Sequence, residues 1–346
     1  MNKIPSVLLI GGLPRPSGGV TVFLGRLVNQ LGERVYFHVL DIHHGEKEPS
    51  KAIVHRIAPK NKFLRVLWLV FHIVFFRGDI IHFNYSLCHA LVALAFMPKL
   101  GRQFFLTLHN GSQLERLETF GRIKTALITR GAKKVDAAFS LCSNHCEMYE
   151  RLGLPKSKTV KTKSQIPPPN ITAAPVDKKH ADMRTNFSHV LVSSGHVSRT
   201  YNFEFLIKFV SENADASGIL FLYGDHQDLS YLEELRKMPG SERIIFYFNK
   251  DEKTFLSALA LSDAYVRPTH VDSWGIAVAD AISLGVPAIA SDVCERSDGA
   301  VLCDANNYST FALKLDAILL NKKTNSAGIN KTYVMDYLNS YVSYDS

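Results

Sequence analysis

The sequence of 346 residues has few cysteines and no long apolar run, and each shortage excludes a class of protein. Its five cysteines are scattered and include no CxxC pair, so neither a disulfide framework nor a zinc ribbon is indicated. The start MNKIPSVLLIGG breaks into glycine after four apolar residues, which is too short for a secretory signal. The sequence therefore predicts a cytoplasmic protein with reduced thiols.

The sequence also offers few clusters of side chains that could hold a metal ion. The best cluster is Cys142, His145 and Cys146, which supplies three ligands on one expected helix where a structural zinc site needs about four. No partner cluster accompanies it. We therefore expect no metal site and no bound cofactor.

Negative charge is scarce in the first half of the chain. Residues 1–185 hold 27 Lys+Arg against 12 Asp+Glu, a net +15, and residues 186–346 hold 13 against 20, a net −7, which together give the net +8 of the chain. A net positive charge attracts anionic partners over about one Debye length. The first half is therefore expected to meet an anionic surface or acceptor. Nucleic acid is the least favoured partner, because the basic residues are scattered and no recognition motif accompanies them.

Short apolar runs alternate with helical patterns along the chain, which is typical of an α/β fold. Five strand-like runs lie in the first half and five in the second, separated by the basic, proline-rich stretch KSKTVKTKSQIPPPNITAAPVDKK, which predicts a connection. We expect Rossmann-like domains at residues 1–168 and 186–322, a linker at 169–185 and a tail at 323–346. Within the tail, YVMDYLNSYV has the pattern of a packed helix.

The stretch FLRVLWLVFHIVFF, from Phe63 to Phe76, is nearly all apolar and is flanked by Lys62 and Arg77. Its 14 residues fall short of the roughly 20 that cross a bilayer. One interpretation is a helix buried under the first sheet, which is preferred because core helices are often apolar all round. The other is an interfacial helix whose aromatic side chains enter the headgroup region of an anionic membrane while its arginines meet lipid phosphate.

Loops at the carboxyl ends of strands are the expected ligand-binding positions of such domains. In the first domain, PRPSGGVTVF brings Gly18 and Gly19 to a helix start, where backbone amides can contact phosphate or the glycines merely permit a tight bend. The strand RQFFLTLHN ends at His109, whose imidazole could accept a proton or polarise a hydroxyl group near neutral pH.

The most informative loop is PTHVDSWGIAVADAISLGVPAIASD in the second domain. Asp272 precedes a helix start and Asp280 lies inside the helix, while the amides of Ser273, Trp274 and Gly275 are expected to open it toward an anion. Such a layout can hold a nucleotide diphosphate. The simpler alternative is that Asp272 is a helix cap and Asp280 a solvated position.

This loop resembles a segment of the retaining glycosyltransferases of family 4. DSWGIAVADAISLGVPAIASD is similar to their EGFGxxxxEAxAxGxPVIASD, with both glutamates replaced by aspartates. SSGHVSRTYNFEFLI, FLYGDH and DAYVRPTH also resemble family segments, so the likeness covers nearly all of the second domain; the first matches more loosely. The resemblance implies a GT-B fold, with two Rossmann-like doubly wound domains facing each other across a cleft. It also implies that Asp272 contacts the donor sugar and Asp280 the ribose.

The chain departs from the family at the residues that clamp the diphosphate. Read without gaps from Gly195, the family's arginine and lysine fall at His196 and Tyr201, and neither supplies a fixed positive charge. Arg199 lies close by in the sequence and is the candidate replacement, because a guanidinium can hold phosphate oxygens through two hydrogen bonds. Gly195 and Tyr201 are themselves expected to belong to the donor site.

Some polysaccharide-building members of the family have tyrosine at the second clamp position and an ending similar to CERSDGAVLC. The resemblance therefore implies transfer of a sugar from a nucleotide-diphosphate sugar to a glycan or lipid-linked acceptor, with retention, in lipopolysaccharide or capsule synthesis. His109 would orient the acceptor or the sugar. The chain has no DxD motif, so turnover should not need a divalent ion. Two alternatives remain: a degenerate sugar-nucleotide-binding scaffold, and a sugar-nucleotide epimerase.

Overall fold

The computed structural model describes residues 4–44, 47–111, 113–224, 228–321 and 333–343. The chain forms two compact units: an N-terminal unit of Met1–Ile166 with Thr332–Ser346, and a second unit of Pro167–Lys331. Each unit contains one sheet of parallel strands with helices in the connections. The predicted α/β class, with two Rossmann-like sheets, is confirmed.

The N-terminal unit contains a sheet of seven strands. Its strands are β1 (Ser6–Gly11), β2 (Tyr36–Asp41), β3 (Val54–Ile57), β4 (Ile80–Tyr85), β5 (Gln103–Leu108), β6 (Ala137–Ser140) and β7 (Thr159–Lys161). Its helices up to this point are α1 (Gly19–Leu31), α2 (Lys62–Phe75), α3 (Leu91–Phe96), α4 (Gln113–Glu118), α5 (Arg122–Ala132) and α6 (Ser143–Arg151). The strand order is β3-β2-β1-β4-β5-β6-β7, with Val7 opposite both Phe37 and Ile80.

The second unit contains a sheet of six strands. Its elements are α7 (Lys178–Asn186), β8 (His189–His196), α8 (Glu204–Glu212), β9 (Ala216–Tyr223), α9 (Leu229–Lys237), β10 (Ile244–Phe248), α10 (Glu252–Ala260), β11 (Ala264–Arg267), α11 (Ile276–Ser283), β12 (Ala288–Ser291), β13 (Val301–Cys303) and α12 (Tyr308–Leu320). The order is β10-β9-β8-β11-β12-β13. From β8, the chain first adds strands on one side of the sheet and then, with β11, on the other side. The carboxyl ends of β8 and β11 therefore form the topological switch point, where open α/β sheets bind ligands.

The tail, for which the sequence predicted a helix, contains α13 (Val334–Ser343). This helix belongs to the N-terminal unit and buries Tyr337 and Tyr341 completely. The Tyr337 ring stacks on Phe139 at 4.3 Å, and the Tyr341 hydroxyl lies 2.6 Å from Nδ1 of His82. Helix α13 therefore supplies an aromatic part of the core of a unit whose other residues come from the opposite end of the chain.

The stretch predicted as a connection contains two regular elements. Strand β7 lies inside it, and helix α7 begins at its last two residues and continues one residue past the end of the expected linker. Strands β3 and β13 also carried no clear sequence signal. All three unpredicted strands lie at sheet edges and are only three or four residues long, so they lack the continuous apolar run that marks a fully buried strand.

The preferred interpretation of the apolar stretch after Lys62 is wrong. It does form a helix, α2, but only Ile73 is fully buried, while Trp68, Leu69 and Val70 are partly buried against the core. Six large apolar side chains on α2 are more than half exposed: Phe63, Leu64, Val66, Leu67, Phe71 and Phe75. Both faces of the helix are thus apolar, and only one of them packs against the rest of the protein. None of the helices in the described part of the chain has the length and apolar content that crossing a bilayer requires.

Candidate functional site

The candidate site lies at the switch point of the second sheet. Strand β8 ends at Gly195 and His196, strand β11 ends at Arg267, and the loop after β11 leads into α11. The backbone amide of His270 in this loop donates to the carbonyl of Thr200, which ties the loop to the segment after β8. The fold therefore brings the two sequence segments with the strongest functional signal to one edge of one sheet.

Asp272 is the centre of a buried ion cluster. Its Oδ2 accepts a hydrogen bond from Nε of Arg267 at 2.6 Å and another from Nη1 of Arg296 at 2.6 Å. The Asp272 side chain is 10% exposed, that of Arg267 12% and that of Arg296 1%. Charge-assisted hydrogen bonds of this length in a buried setting are strong, so the three side chains hold one another in a fixed geometry.

The two guanidinium groups determine the ionisation of this carboxyl. Burial raises the pKa of Asp272, but the charges of Arg267 and Arg296 and the hydrogen bonds they donate lower it by more. The net pKa of Asp272 lies well below the usual range of a carboxyl. Burial lowers the pKa of Arg267, but the Asp272 carboxylate raises it by more, so the net pKa is raised. Asp272 and Arg267 are therefore both charged at neutral pH.

The helix start differs from the cap that the simpler alternative proposed. The residue that caps α11 is Gly275, in the left-handed region at φ +82°, and not Asp272. A Cβ atom at this glycine would lie 2.7 Å from Nη1 of Arg296, so glycine is required both for the backbone and for the approach of the guanidinium. The amide of Ser273 donates to Oδ1 of Asp272 at 3.0 Å. One of the three amides expected to face an anion is thus already bonded inside the loop.

Asp280 is the fifth residue of α11 and is only 4% exposed. The alternative of a solvated carboxylate at this position is wrong. Charged side chains are seldom buried unless they serve a structural or functional purpose. The expected contact between Asp280 and a ribose stays a prediction.

Gly195 and Tyr201 are brought into the same cluster. A Cβ atom at Gly195 would lie 2.0 Å from the Tyr201 ring, so the glycine makes room for the ring against the strand end. The guanidinium of Arg267 lies 5.4 Å from the centre of that ring. His196, at the other clamp position, donates from Nδ1 to the carbonyl of Tyr223 at 3.0 Å and is exposed.

Arg199 is placed differently from these residues. Its Nη2 donates to both carboxylate oxygens of Glu234 on α9, at 2.7 Å and 2.6 Å, and the two side chains are 58% and 55% exposed. The described contacts of its side chain, with Glu234 and with the Tyr231 ring, both lie on α9. Its role at a diphosphate stays a prediction.

The glycine loop of the N-terminal unit has a defined start to α1. The amide of Gly18 donates to Oγ1 of Thr21 at 3.0 Å, and that hydroxyl donates to the carbonyl of Pro16. A Cβ atom at Gly19 would meet no atom within 4 Å, so this position faces open space. The amide of Gly18 is thus bonded inside the loop, and a phosphate contact at Gly18 or Gly19 stays a prediction.

His109 follows β5 and is half-buried beside Phe23. Its Nε2 lies 3.2 Å from Oδ1 of Asn84, and Nε2 donates in this pair because a carbonyl oxygen only accepts. Burial, and secondarily repulsion from His145, lower the pKa of His109 to about 3. The ring is therefore neutral near pH 7 and is a weak base, which argues against proton abstraction and leaves hydrogen bonding as its possible contribution.

The cluster of Cys142, His145 and Cys146 does not form a metal site. His145 accepts from the amide of Leu141 at Nδ1 and donates from Nε2 to the carbonyl of Asn110, so both of its nitrogens are engaged. Across the described residues, no group of three or more potential ligands is arranged for a metal ion.

Sequence reasoning missed Arg267 and Arg296. A signal was available, because Arg267 is the last residue of the strand in DAYVRPT and Arg296 lies in the loop after β12, and both positions meet the strand-end rule that selected His109. That they share one carboxylate depends on the loop geometry and could not be read from spacing.

Two family models match the chain. The model described as Glycosyl transferases group 1 matches residues 179–335, and the model described as Glycosyltransferase Family 4 matches residues 17–160, so together they span most of the sequence. Among curated proteins, no sequence matches the chain.

Solved structures with the same fold are distant in sequence. HepE of Anabaena in complex with UDP and glucose is 14% identical, with a TM-score of 0.74 over 99% of this chain and 97% of that chain. WaaG, a glycosyltransferase involved in lipopolysaccharide biosynthesis, is 12% identical, with a TM-score of 0.67 over 98% and 95%. The apo form of WaaB, a lipopolysaccharide outer core galactosyltransferase, is 14% identical, with a TM-score of 0.63 over 98% and 99%.

Proposed function

The protein belongs to glycosyltransferase family 4, and on that premise we propose that it builds surface polysaccharide by adding a sugar to a glycan or lipid-linked acceptor. The donor is a nucleoside-diphosphate sugar, and its anomeric configuration is retained. UDP is the first nucleotide to test, because HepE, a similar structure, is described in complex with UDP and with UDP-glucose.

The observation that supports donor binding in the second unit is the ion cluster around Asp272. Two guanidinium groups share one carboxylate beside the start of α11, at the switch point of the sheet. Positive charge and a helix start together favour an anionic ligand and stabilise negative charge that grows on a departing diphosphate. Sugar transfer is favoured over the epimerase alternative because the family models that match the two units are both described as glycosyltransferases.

The test combines binding and turnover. A thermal-shift screen of UDP-, GDP- and CMP-sugars should reveal one stabilising nucleotide, since a ligand at 100 times its dissociation constant adds about 2.7 kcal/mol of stability. The stabilising donor is then incubated with membrane extracts as acceptor, and radiolabelled sugar is followed into the lipid and glycan fractions. Asp280→Ala should weaken nucleotide binding without unfolding the protein.

The results can contradict the proposal in three ways. Binding without incorporation into any fraction would favour the scaffold alternative. Release of an epimerised nucleotide sugar without acceptor would favour the epimerase. A folded protein that binds none of the nucleotide sugars would remove the donor site itself.

A lipid-linked acceptor is supported by the exposed apolar face of α2. This face is defined by Phe63, Leu64, Val66, Leu67, Phe71 and Phe75. Isolated exposed apolar residues are ordinary, but a contiguous stripe on one helix marks an interaction surface. The rings of Phe71 and Phe75 lie 4.6 Å apart, so these two side chains form one continuous apolar surface.

The charges around the α2 face favour an anionic bilayer over a second protein. From Lys51 to Gly78 the sequence has six Lys+Arg and no Asp or Glu. Arg65 donates to the carbonyls of Pro59 and Lys60, which holds its positive charge at the start of the helix. Each basic residue near an anionic membrane surface contributes about 1 kcal/mol, and the aromatic side chains add the gain of leaving water.

Vesicle cosedimentation tests this surface. The protein should sediment with phosphatidylcholine vesicles that contain phosphatidylglycerol and should stay in solution with phosphatidylcholine alone. The double variant Phe71→Ser/Phe75→Ser should reduce binding by at least about tenfold, since each buried phenylalanine is worth roughly 1.5–3 kcal/mol. Leu313→Ser on α12 is the matched control, because this leucine is 70% exposed and lies in the second unit.

Equal binding by the wild type and the double variant would contradict the membrane assignment. So would a wild-type dimer that the double variant converts to a monomer, because the α2 face would then be an interface between two copies of the chain.

A further inference from the structure

The positive charge that the family places at two clamp positions is absent from both positions here. His196 donates its Nδ1 hydrogen to a backbone carbonyl and is exposed. Burial raises the pKa of Tyr201, so its phenol is neutral at physiological pH. A nucleotide diphosphate bound at the end of β8 therefore needs its counter-charge from another element of the second unit.

Arg267 reaches the same place from the neighbouring strand. It ends β11, which pairs with β8, and its Nη1 donates to the carbonyl of Ser194 at 3.2 Å, immediately before Gly195. Its guanidinium lies over the ring of Tyr201 at 5.4 Å. The charge missing from position 201 is thus present within one side-chain length of it.

Arg296 has no N–H group left with which to bind phosphate. A guanidinium has five N–H groups, and all five of this residue's are engaged inside the protein. The acceptors are the carbonyl and hydroxyl oxygens of Ser291, the hydroxyl of Thr269, the carbonyl of Trp274 and Oδ2 of Asp272. With 1% of its side chain exposed, it positions Asp272 and contacts no solvent-borne ligand.

Arg267 has N–H donors and positive charge that the described part of the protein does not use. Its bonds to other described residues use Nε and one hydrogen of Nη1, which leaves Nη2 without an acceptor in that part of the chain. Asp272 carries one negative charge and is shared by two guanidinium groups, so the three side chains sum to +1. Because Arg296 is enclosed, this surplus is available at Arg267, which is 12% exposed.

We propose that Arg267 binds the diphosphate of the nucleotide donor, in place of the two clamp residues that this chain lacks. The inference rests on the proposed function, because it concerns the same donor site. Its guanidinium is held by Asp272 on one side and directs its remaining N–H groups to the phosphate oxygens. Asp272 and Arg296 act as positioning residues that keep this side chain in place.

The experiment measures how strongly the protein prefers a diphosphate over a monophosphate. Dissociation constants are determined by calorimetry for UDP and UMP and for GDP and GMP, and the base that the wild type binds more tightly is used. Arg267→Gln should reduce the ratio of the monophosphate to the diphosphate constant by at least about tenfold, since bonds from a charged donor to phosphate are lost. The double variant Arg267→Gln/Tyr201→Lys restores a cation at the family's position and should recover most of the ratio.

Two further variants keep the inference open to contradiction. Arg267→Lys preserves the ion pair with Asp272 and should fold even if the glutamine variant does not, with a ratio between those of wild type and glutamine. Arg184→Gln on α7 is the control for loss of a surface arginine, because its guanidinium pairs with Asp263. It should leave the ratio unchanged.

The outcomes separate this inference from the proposed function. A folded Arg267→Gln protein, or Arg267→Lys protein, with the wild-type ratio would overturn the inference while the donor site stands. A reduced ratio in Arg199→Gln but not in the Arg267 variants would return the clamp to the residue that the sequence favoured. A wild type that binds neither UDP nor GDP would overturn both.

Discussion

Neutralising Asp272 should destabilise the second unit far more than neutralising a surface carboxylate. Asparagine has nearly the same shape but no charge, so Asp272→Asn leaves the guanidinium groups of Arg267 and Arg296 without their anion. Arg296 is 1% exposed, and the carboxylate accepts from both arginines at 2.6 Å. Breaking a buried pair by removing one partner typically costs about 3–5 kcal/mol. We expect a loss of this size in the free energy of unfolding.

The two tryptophans of the chain allow the second unit to be observed alone. Trp274 is 3% exposed and lies two residues after Asp272, whereas Trp68 lies on α2 of the N-terminal unit. In a Trp68→Phe background, urea unfolding followed by fluorescence therefore reports on the surroundings of Asp272. Glu233→Gln is the control, because Glu233 pairs with Arg236 on α9 with both side chains about half exposed, and such pairs are worth less than about 1 kcal/mol.

The pH dependence follows from the lowered pKa of Asp272. A carboxyl with a lowered pKa in the folded state contributes stability above its unfolded pKa of about 3.9, and that stability is lost as the pH falls through the folded value. The difference between wild type and Asp272→Asn should thus be constant from about pH 8 to pH 5 and narrow only below about pH 4. A cost below about 1 kcal/mol at neutral pH, or a difference that disappears near pH 6, would refute the buried ion cluster.

Four further outcomes are expected. Gly275→Ala should lower the free energy of unfolding of the second unit in urea by about 1–3 kcal/mol, because φ is +82° and the new Cβ would meet Arg296. A loss below this range would contradict the left-handed cap. The imidazole resonance of His109, assigned with His109→Gln, should not shift between about pH 5 and pH 8, since its pKa is about 3; a midpoint near 6.5 would show that the ring is hydrated. Tyr341→Phe should cost the N-terminal unit about 1–3 kcal/mol, because Nδ1 of the buried His82 loses its hydrogen-bond partner, and wild-type stability would argue against the α13 packing. Sugar transfer should persist in EDTA, and loss of turnover on chelation would establish a metal requirement.

The α/β architecture could be predicted because its signals are local and repeated. Each central strand is an apolar run followed by a loop and a helical pattern, and buried parallel strands are continuous in their apolar content. The position of the candidate site was also readable, since the DSWG loop follows a strand and opens a helix. The short edge strands were not readable, because one exposed edge relaxes the requirement for apolar residues.

The internal chemistry of the site was less predictable than its position. The pairing of Asp272 with Arg267 and Arg296 joins residues 5 and 24 positions away, and nothing in their spacing specifies that they share an oxygen atom. The preferred prediction for α2, a helix buried under the sheet, was wrong for another reason. A helix that is apolar all round has the same periodicity whether or not protein covers its second face, so only the structure could show that this face is exposed.

The attachment of α13 to the N-terminal unit has a consequence for biosynthesis. While the ribosome is still translating the second unit, the first sheet lacks the tyrosines that will bury His82 and Phe139. That hydrophobic surface stays available to chaperones, or to a second nascent chain, until about residue 343 has emerged from the exit tunnel. Stop codons or frameshifts before the codons for α13 should therefore damage the domain that was synthesised first.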